Sequence, residues 1–194
     1  MNLKERNVGN RELVKKVLIV CEGARTEPEY FKQFKVSKKC EVVGAGCNTI
    51  SVVNRAIAMM NKNDYSEVWC VFDRDSFKKD RVKGALTLAR ANNIKLAFSN
   101  ESFELWYVLH FIYLDTKVSR KDYITILNDH IGKQYKKNDS SMYQLLLPRQ
   151  KEALSRARKL KTDMLHPGMC EHDSYPYTTV FELVERLNTL GRTV

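Results

Sequence analysis

The sequence predicts an α/β protein: a mainly parallel, four-stranded sheet flanked by helices, with a helical C-terminal half. Three observations carry this. Over the first hundred residues short apolar runs alternate with amphipathic stretches, the pattern of βαβ units. The strongest runs are continuously apolar, as strands buried on both faces are. Beyond residue 100 helical spacing takes over.

Leu13–Cys21 reads as the first strand, becoming fully apolar toward its end. Thr26 and Glu29 have the spacing of a capping box and Pro28 suits a first turn, which predicts a helix from Thr26 to about Phe34. Cys40–Val43 is a weaker strand, ended by Gly44 and Gly46, and Ile50–Met60 has helical spacing. Val68–Phe72 is the strongest strand. A helix over 82–91 and a fourth strand at Ile94–Phe98 follow. The second half predicts an apolar helix at Phe103–Phe111, further helices at Lys121–Ile131 and Val180–Leu190, and a basic helix at Arg149–Leu160.

A length of 194 residues suits one domain with a substantial core. It divides into a basic N-terminal arm (1–12), an α/β core (13–100) and a helical cover (101–194). No apolar run approaches the roughly 20 residues that span a bilayer. Residues 1–11 are polar with no apolar segment behind them, so no secretory signal and no membrane partner are expected, and a cytoplasmic location is. Five cysteines, an odd number without a C-x-x-C pair, fit a reducing compartment. The net charge of +10 points to a polyanionic partner, nucleic acid above all.

Three acids fall where ligands bind in such folds. Glu22 follows the first strand immediately, Asp73 follows the third, and Asp75 lies two residues on. In a parallel sheet these strand ends share one edge, the edge at which ligands bind. Neighbouring strands are about 5 Å apart, so the three carboxylates converge if these strands are adjacent. Carboxylates held together repel unless a cation sits among them. Hard oxygen ligands suit Mg²⁺ or Mn²⁺, which reach out to phosphates. One such aspartate alone reads as a solvated turn residue; a Glu after strand one combined with D-x-D after strand three reverses that.

Related acidic-edge folds fit less well. Haloacid-dehalogenase-type phosphatases place D-x-D after the first strand, and response-regulator receivers need an acidic pair there. Neither G-x-x-x-x-G-K-[ST] nor G-x-G-x-x-G occurs. One Glu after strand one and D-x-D after strand three resemble the Toprim arrangement. The likeness goes further. Val17-Leu-Ile-Val-Cys-Glu-Gly23 with Thr26-Glu-Pro-x-Tyr-Phe31, then Val68-Trp-Cys-Val-Phe-Asp-Arg-Asp75, Ser99-Asn-x-x-Phe-Glu-Leu-Trp106 and Tyr175-Pro-Tyr-Thr-Thr-Val180 resemble, in that order, the RloB family.

That resemblance implies a Toprim-like nuclease domain using Mg²⁺ or Mn²⁺, with the metal on Glu22, Asp73 and Asp75. It implies restriction or abortive-infection loci and an ABC- or AAA-type ATPase nearby. Nucleic acid, RNA or DNA, is the implied substrate. Glu22 is alternatively the general acid or base. Departures from the pattern at Ala24-Arg25 and Glu101-Ser102 leave the three acids untouched. A partner-activated or regulatory subunit is the reading from another class. A topoisomerase-like strand-transfer enzyme is disfavoured, because the chain leaves no room for a domain carrying the nucleophilic tyrosine.

Other residues admit two readings each. Glu104, in an apolar helix that starts at the same sheet edge, either serves the site or is held structurally; Asn100 or Ser102 is placed to cap its first turn. Arg25 and Arg74 flank the acids, and Arg25, reached through a glycine-containing loop, is the better candidate to steady a phosphate. His110 is better read as a core histidine than as a general acid. His166, Cys170 and His172 have the wrong spacing for zinc and read as a polar loop. Lys133, Lys136, Lys137, Arg149, Lys151, Arg156, Arg158, Lys159 and Lys161, with Tyr135 and Tyr143 among them, suit either a solvated helix face or a backbone-tracking surface with stacking.

Overall fold

Five strands form one sheet in the order β2-β1-β3-β4-β5. The structure is a computed structural model that describes residues 16–36, 39–74, 79–166, 168 and 173–191. The basic arm at 1–12, the start of the first expected strand, Asp75, Cys170 and His172 lie outside the described residues. The strands are β1 (Lys16–Cys21), β2 (Cys40–Gly44), β3 (Tyr65–Asp73), β4 (Lys95–Asn100) and β5 (Tyr177–Thr178). The first four are mutually parallel, as expected. The fifth was not anticipated. It is two residues long, too short to show a period, and pairs antiparallel with the end of β4.

Side-chain alternation on the strands builds two cores. Val17, Ile19, Cys21, Trp69 and Val71 face one layer; Leu18, Val20, Cys70 and Phe72 face the other. The second layer is covered by α2 (Thr49–Met60) and α3 (Lys79–Ala91), through Val52, Val53, Ala56, Val82, Ala85 and Ala89. The first is covered by α1 (Thr26–Phe31) and by the helices of the second half. These are α4 (Glu104–Val108), α5 (Arg120–Ile131), α6 (Met142–Leu146), α7 (Gln150–Met164) and α8 (Val180–Gly191). The helical half therefore lies on one face of the sheet. Among the described residues no helix is long and apolar enough to cross a membrane.

Two expected caps do not form. The N-cap of α1 is Arg25, without a side-chain bond, and Thr26 donates its hydroxyl to Asn138 Oδ1 at 3.1 Å instead. A tertiary contact has taken the group that the local pattern assigned to the helix end. At α4, Asn100 Nδ2 is bonded to the Ser174 carbonyl at 2.6 Å and the buried Ser102 hydroxyl finds no partner in the structure. The α4 segment is also shorter than expected, because tight turns such as Trp106 N to Phe103 O and Phe111 N to Val108 O flank its single α-helical turn. Among the described residues Cys21, Cys40, Cys47 and Cys70 are free thiols, with Cys21 and Cys70 buried.

Gly44 ends β2 where the loop after β1 passes over it. A Cβ there would lie 2.6 Å from the Ala24 carbonyl oxygen and 2.9 Å from that of Gly23. Both obstacles are backbone, so Gly44→Ala must displace the loop. We expect about 2 kcal/mol of destabilisation in denaturant melts; a change within about 0.5 kcal/mol would show that the loop yields freely.

Candidate functional site

The strand order places a topological switch point between β1 and β3. From β1 the chain crosses to β2 on one side and then returns to β3 on the other, which opens a crevice at their carboxyl ends. Glu22 and Asp73 stand at that crevice. The Glu22 amide extends the ladder by donating to the Val71 carbonyl at 2.8 Å, and the Asp73 amide donates to Glu22 Oε2 at 3.1 Å. The backbone thus locks the first-strand carboxylate against the end of the third strand.

Two more acids complete the cluster. Glu27, in the first turn of α1, is buried and folds back over Gly23, where a Cβ would come within 2.0 Å of Glu27 Oε2. Glycine at 23 lets that carboxylate descend onto the loop. Glu104 opens α4, is buried, and accepts from Tyr135 Oη at 3.3 Å, with Lys137 Nζ at 4.0 Å. Glu22, Glu27, Asp73 and Glu104 line one cleft of about 360 Å³, whose other walls include Arg25, Phe103, Lys137 and Asn138.

Crowding and burial act together on these groups. Burial raises the Glu22 carboxyl to about 7; the Asp73 amide opposes this, Glu27 adds to it and Arg120 opposes it. Burial likewise pushes the Asp73 carboxyl up from its ordinary value, with Glu27, Glu104 and Glu22 adding and Arg120 opposing. Glu27 is raised by burial and by Glu104, against its bonds to backbone amides. Glu67, at the opposite end of β3, shows the ordinary behaviour: Arg186 Nε at 2.8 Å and Lys95 Nζ at 3.0 Å hold its carboxyl down to about 2. The cleft acids repel one another, whereas Glu67 is paired.

This has a consequence for stability. Glu22 has a folded-state pKa above its unfolded value, so its ionised form costs stability above about pH 7, and the cost vanishes as pH falls below the unfolded value. Glu22→Gln is therefore expected to stabilise the protein at pH 9 by about 1–2 kcal/mol, a figure reduced for its partial solvent exposure. The gain should close toward pH 4. Urea melts at both pH values check this, and a gain independent of pH would refute it.

The expected site residues divide. Glu22, Asp73, Glu104 and Arg25 meet at the cleft; Asp75 lies outside the described residues. Arg74 is turned away into an ion pair with Asp173 at 3.1 Å. His110 is buried, with Nδ1 on the Trp106 carbonyl at 2.9 Å, and burial lowers its pKa to about 4. It is a neutral core histidine. The basic stretch is largely engaged within the molecule: Lys133 with Asp139, Arg158 with Glu185, Lys159 with Asp163, Lys161 with Glu182, and Arg156 with the Leu109 carbonyl. Tyr135 and Tyr143 are buried in the aromatic core and offer no stacking platform. Of that stretch, Lys137 reaches the cleft.

Two residues of the site were missed. Glu27 had a local signal, being an acid in the first turn of a helix that starts at this edge. Arg120 had none, and Lys137 was read only as one member of the basic stretch. Arg120 Nη2 lies 3.2 Å from Asp73 Oδ2, and 47 residues separate them in sequence.

The donor chemistry of the cleft fits a hard divalent cation. Its lining holds four carboxyl groups and neither thiol nor imidazole. Among the described residues, no three His, Cys, Asp or Glu groups stand in an arrangement that could hold a metal ion.

Fold and site together define an α/β protein with an acidic cleft at the switch point of a mainly parallel sheet. A family model described as RloB-like protein matches residues 17–187, and the chain belongs to that family. No curated protein and no solved structure matches it.

Proposed function

We propose that this protein is a metal-dependent phosphodiesterase, a nuclease of the Toprim type acting on RNA or DNA in an anti-phage system. The observation that carries the proposal is the convergence of Glu22, Glu27, Asp73 and Glu104 in one cleft bordered by Arg25 and Lys137. Carboxylates are the donors that a hard cation takes, and the cations at the border suit a phosphate. Glu22 and Asp73, with Asp75 two residues on in the sequence, are the residues to hold Mg²⁺ or Mn²⁺. A bound ion of this kind supplies Lewis acidity, activating water and stabilising a leaving oxygen. Alternatively Glu22, raised to about 7 when it holds no ion, is the general acid or base that accepts or returns a proton near neutral pH. Arg25 and Lys137 steady the phosphate from the border, and Glu27 and Glu104 keep the cleft acidic.

A second reading has one observation in its favour. Arg120 already sits on Asp73, as expected of a subunit that is silent until a partner, such as an ABC- or AAA-type ATPase, acts on it. Purified protein incubated with total RNA, tRNA, single-stranded and duplex DNA, in Mg²⁺, Mn²⁺ or chelator, separates the two. Cleavage that needs the metal supports the nuclease. Intact substrates alongside measurable metal binding favour the silent subunit.

A further inference from the structure

We propose that the Arg120 guanidinium is a built-in counter-ion to the cleft, standing on Asp73 where a divalent cation would compete with it. The inference rests on the metal-dependent reading above and concerns what controls access to that site.

The position of Arg120 is not explained by its own helix. It is the first residue of α5, whose start is fixed by a complete capping box: Ser119 Oγ accepts from the Asp122 amide and Asp122 Oδ2 accepts from the Ser119 amide at 2.7 Å. That box closes without Arg120. A cation in the first turn also faces the positive end of the helix dipole, the unfavourable end for its sign. Among the contacts of the guanidinium are Asp73 Oδ2 at 3.2 Å, in the cleft, and the Glu101 carbonyl at 3.1 Å.

Its charge matters there. Of the charged groups that bear most on Asp73, Glu27, Glu104 and Glu22 are acids and Arg120 is the cation; the same arginine offsets Glu27 at Glu22. Arg120 thus does for the acids what a bound ion would do. A divalent ion on Asp73 would lie within a few ångströms of the guanidinium, and repulsion at that distance weakens binding of one or the other. The arginine must therefore leave Asp73 for the ion to bind tightly. A planar guanidinium released there is suited to take a phosphate oxygen pair.

Mn²⁺ titrations without nucleic acid, read by electron paramagnetic resonance of the free ion, test this on wild-type protein, Arg120→Gln and Arg120→Lys. Thermal melts verify that each is folded. Removal of the charge is expected to tighten Mn²⁺ binding by about tenfold or more, while the lysine variant stays near wild type because it keeps the cation. Equal or weaker binding by Arg120→Gln, with wild type binding Mn²⁺, would overturn the counter-ion and make Arg120 a support for Asp73. If none of the three binds Mn²⁺, the metal-dependent reading itself falls, and the inference with it.

Discussion

If the protein is the metal-dependent nuclease we propose, Asp73→Asn is expected to lower its cleavage by about a thousandfold, the scale seen when a group acting on the charge of a transition state is lost. The substitution keeps the shape of the side chain and the backbone bond from the Asp73 amide to Glu22, and removes only the charge. That charge is the centre of the cluster: Glu22, Glu27 and Glu104 all bear on it, and Arg120 contacts it. The thermal midpoint should fall little, because relief of repulsion among the acids offsets the lost ion pair with Arg120. Cleavage and melting measured on one preparation check both halves. A variant that keeps more than a tenth of wild-type activity would remove Asp73 from the chemistry, and a collapsed midpoint would make the loss one of folding.

Trp106→Ala has the largest expected effect on the fold. Trp106 is fully buried, donates Nε1–H to Tyr30 Oη at 2.9 Å, and meets His110 edge to face at 4.7 Å. Its helix, α4, is a single turn in which Glu104, Leu105, Trp106, Tyr107 and Val108 are all buried. A segment that short has no stability of its own; packing holds it, and the Trp106–Tyr30 bond ties it to α1. Truncation leaves a large cavity and takes the indole donor from the Tyr30 hydroxyl, at a cost of about 4 kcal/mol. For a chain of this size that corresponds to a fall of about 10 °C in midpoint. Since α4 carries Glu104 and α1 carries Glu27, the cleft should loosen with the core. Trp106→Phe, which keeps an aromatic ring but not the donor, should cost about 2 kcal/mol. A loss below about 1 kcal/mol for the alanine variant would show that the core recloses.

Much of this molecule was legible in its sequence, for a definable reason. β1 and β3 are runs of apolar residues because each face of the sheet needs a layer of them, and the acids that end those runs share an edge because parallel strands point one way. Glu22 and Asp73 could therefore be paired on paper, although 51 residues separate them. Four of the five helices of the second half were readable from their period, while the five-residue α6 was not, and Arg74 and His110 were given two readings each. What the linear pattern could not hold was any decision made across elements. Thr26 was assigned to a cap and spends its hydroxyl on Asn138. Tyr135 and Tyr143 sit among lysines in sequence and are drawn into the aromatic core by neighbours from α1 and α4. β5 forms because Thr178 and Thr179 find the end of β4, and two residues carry no period of their own. Above all, only the tertiary structure brings Glu27, Lys137 and Arg120 to Glu22 and Asp73. Charge interactions act through space over a few ångströms, and separation along the chain says nothing about that distance.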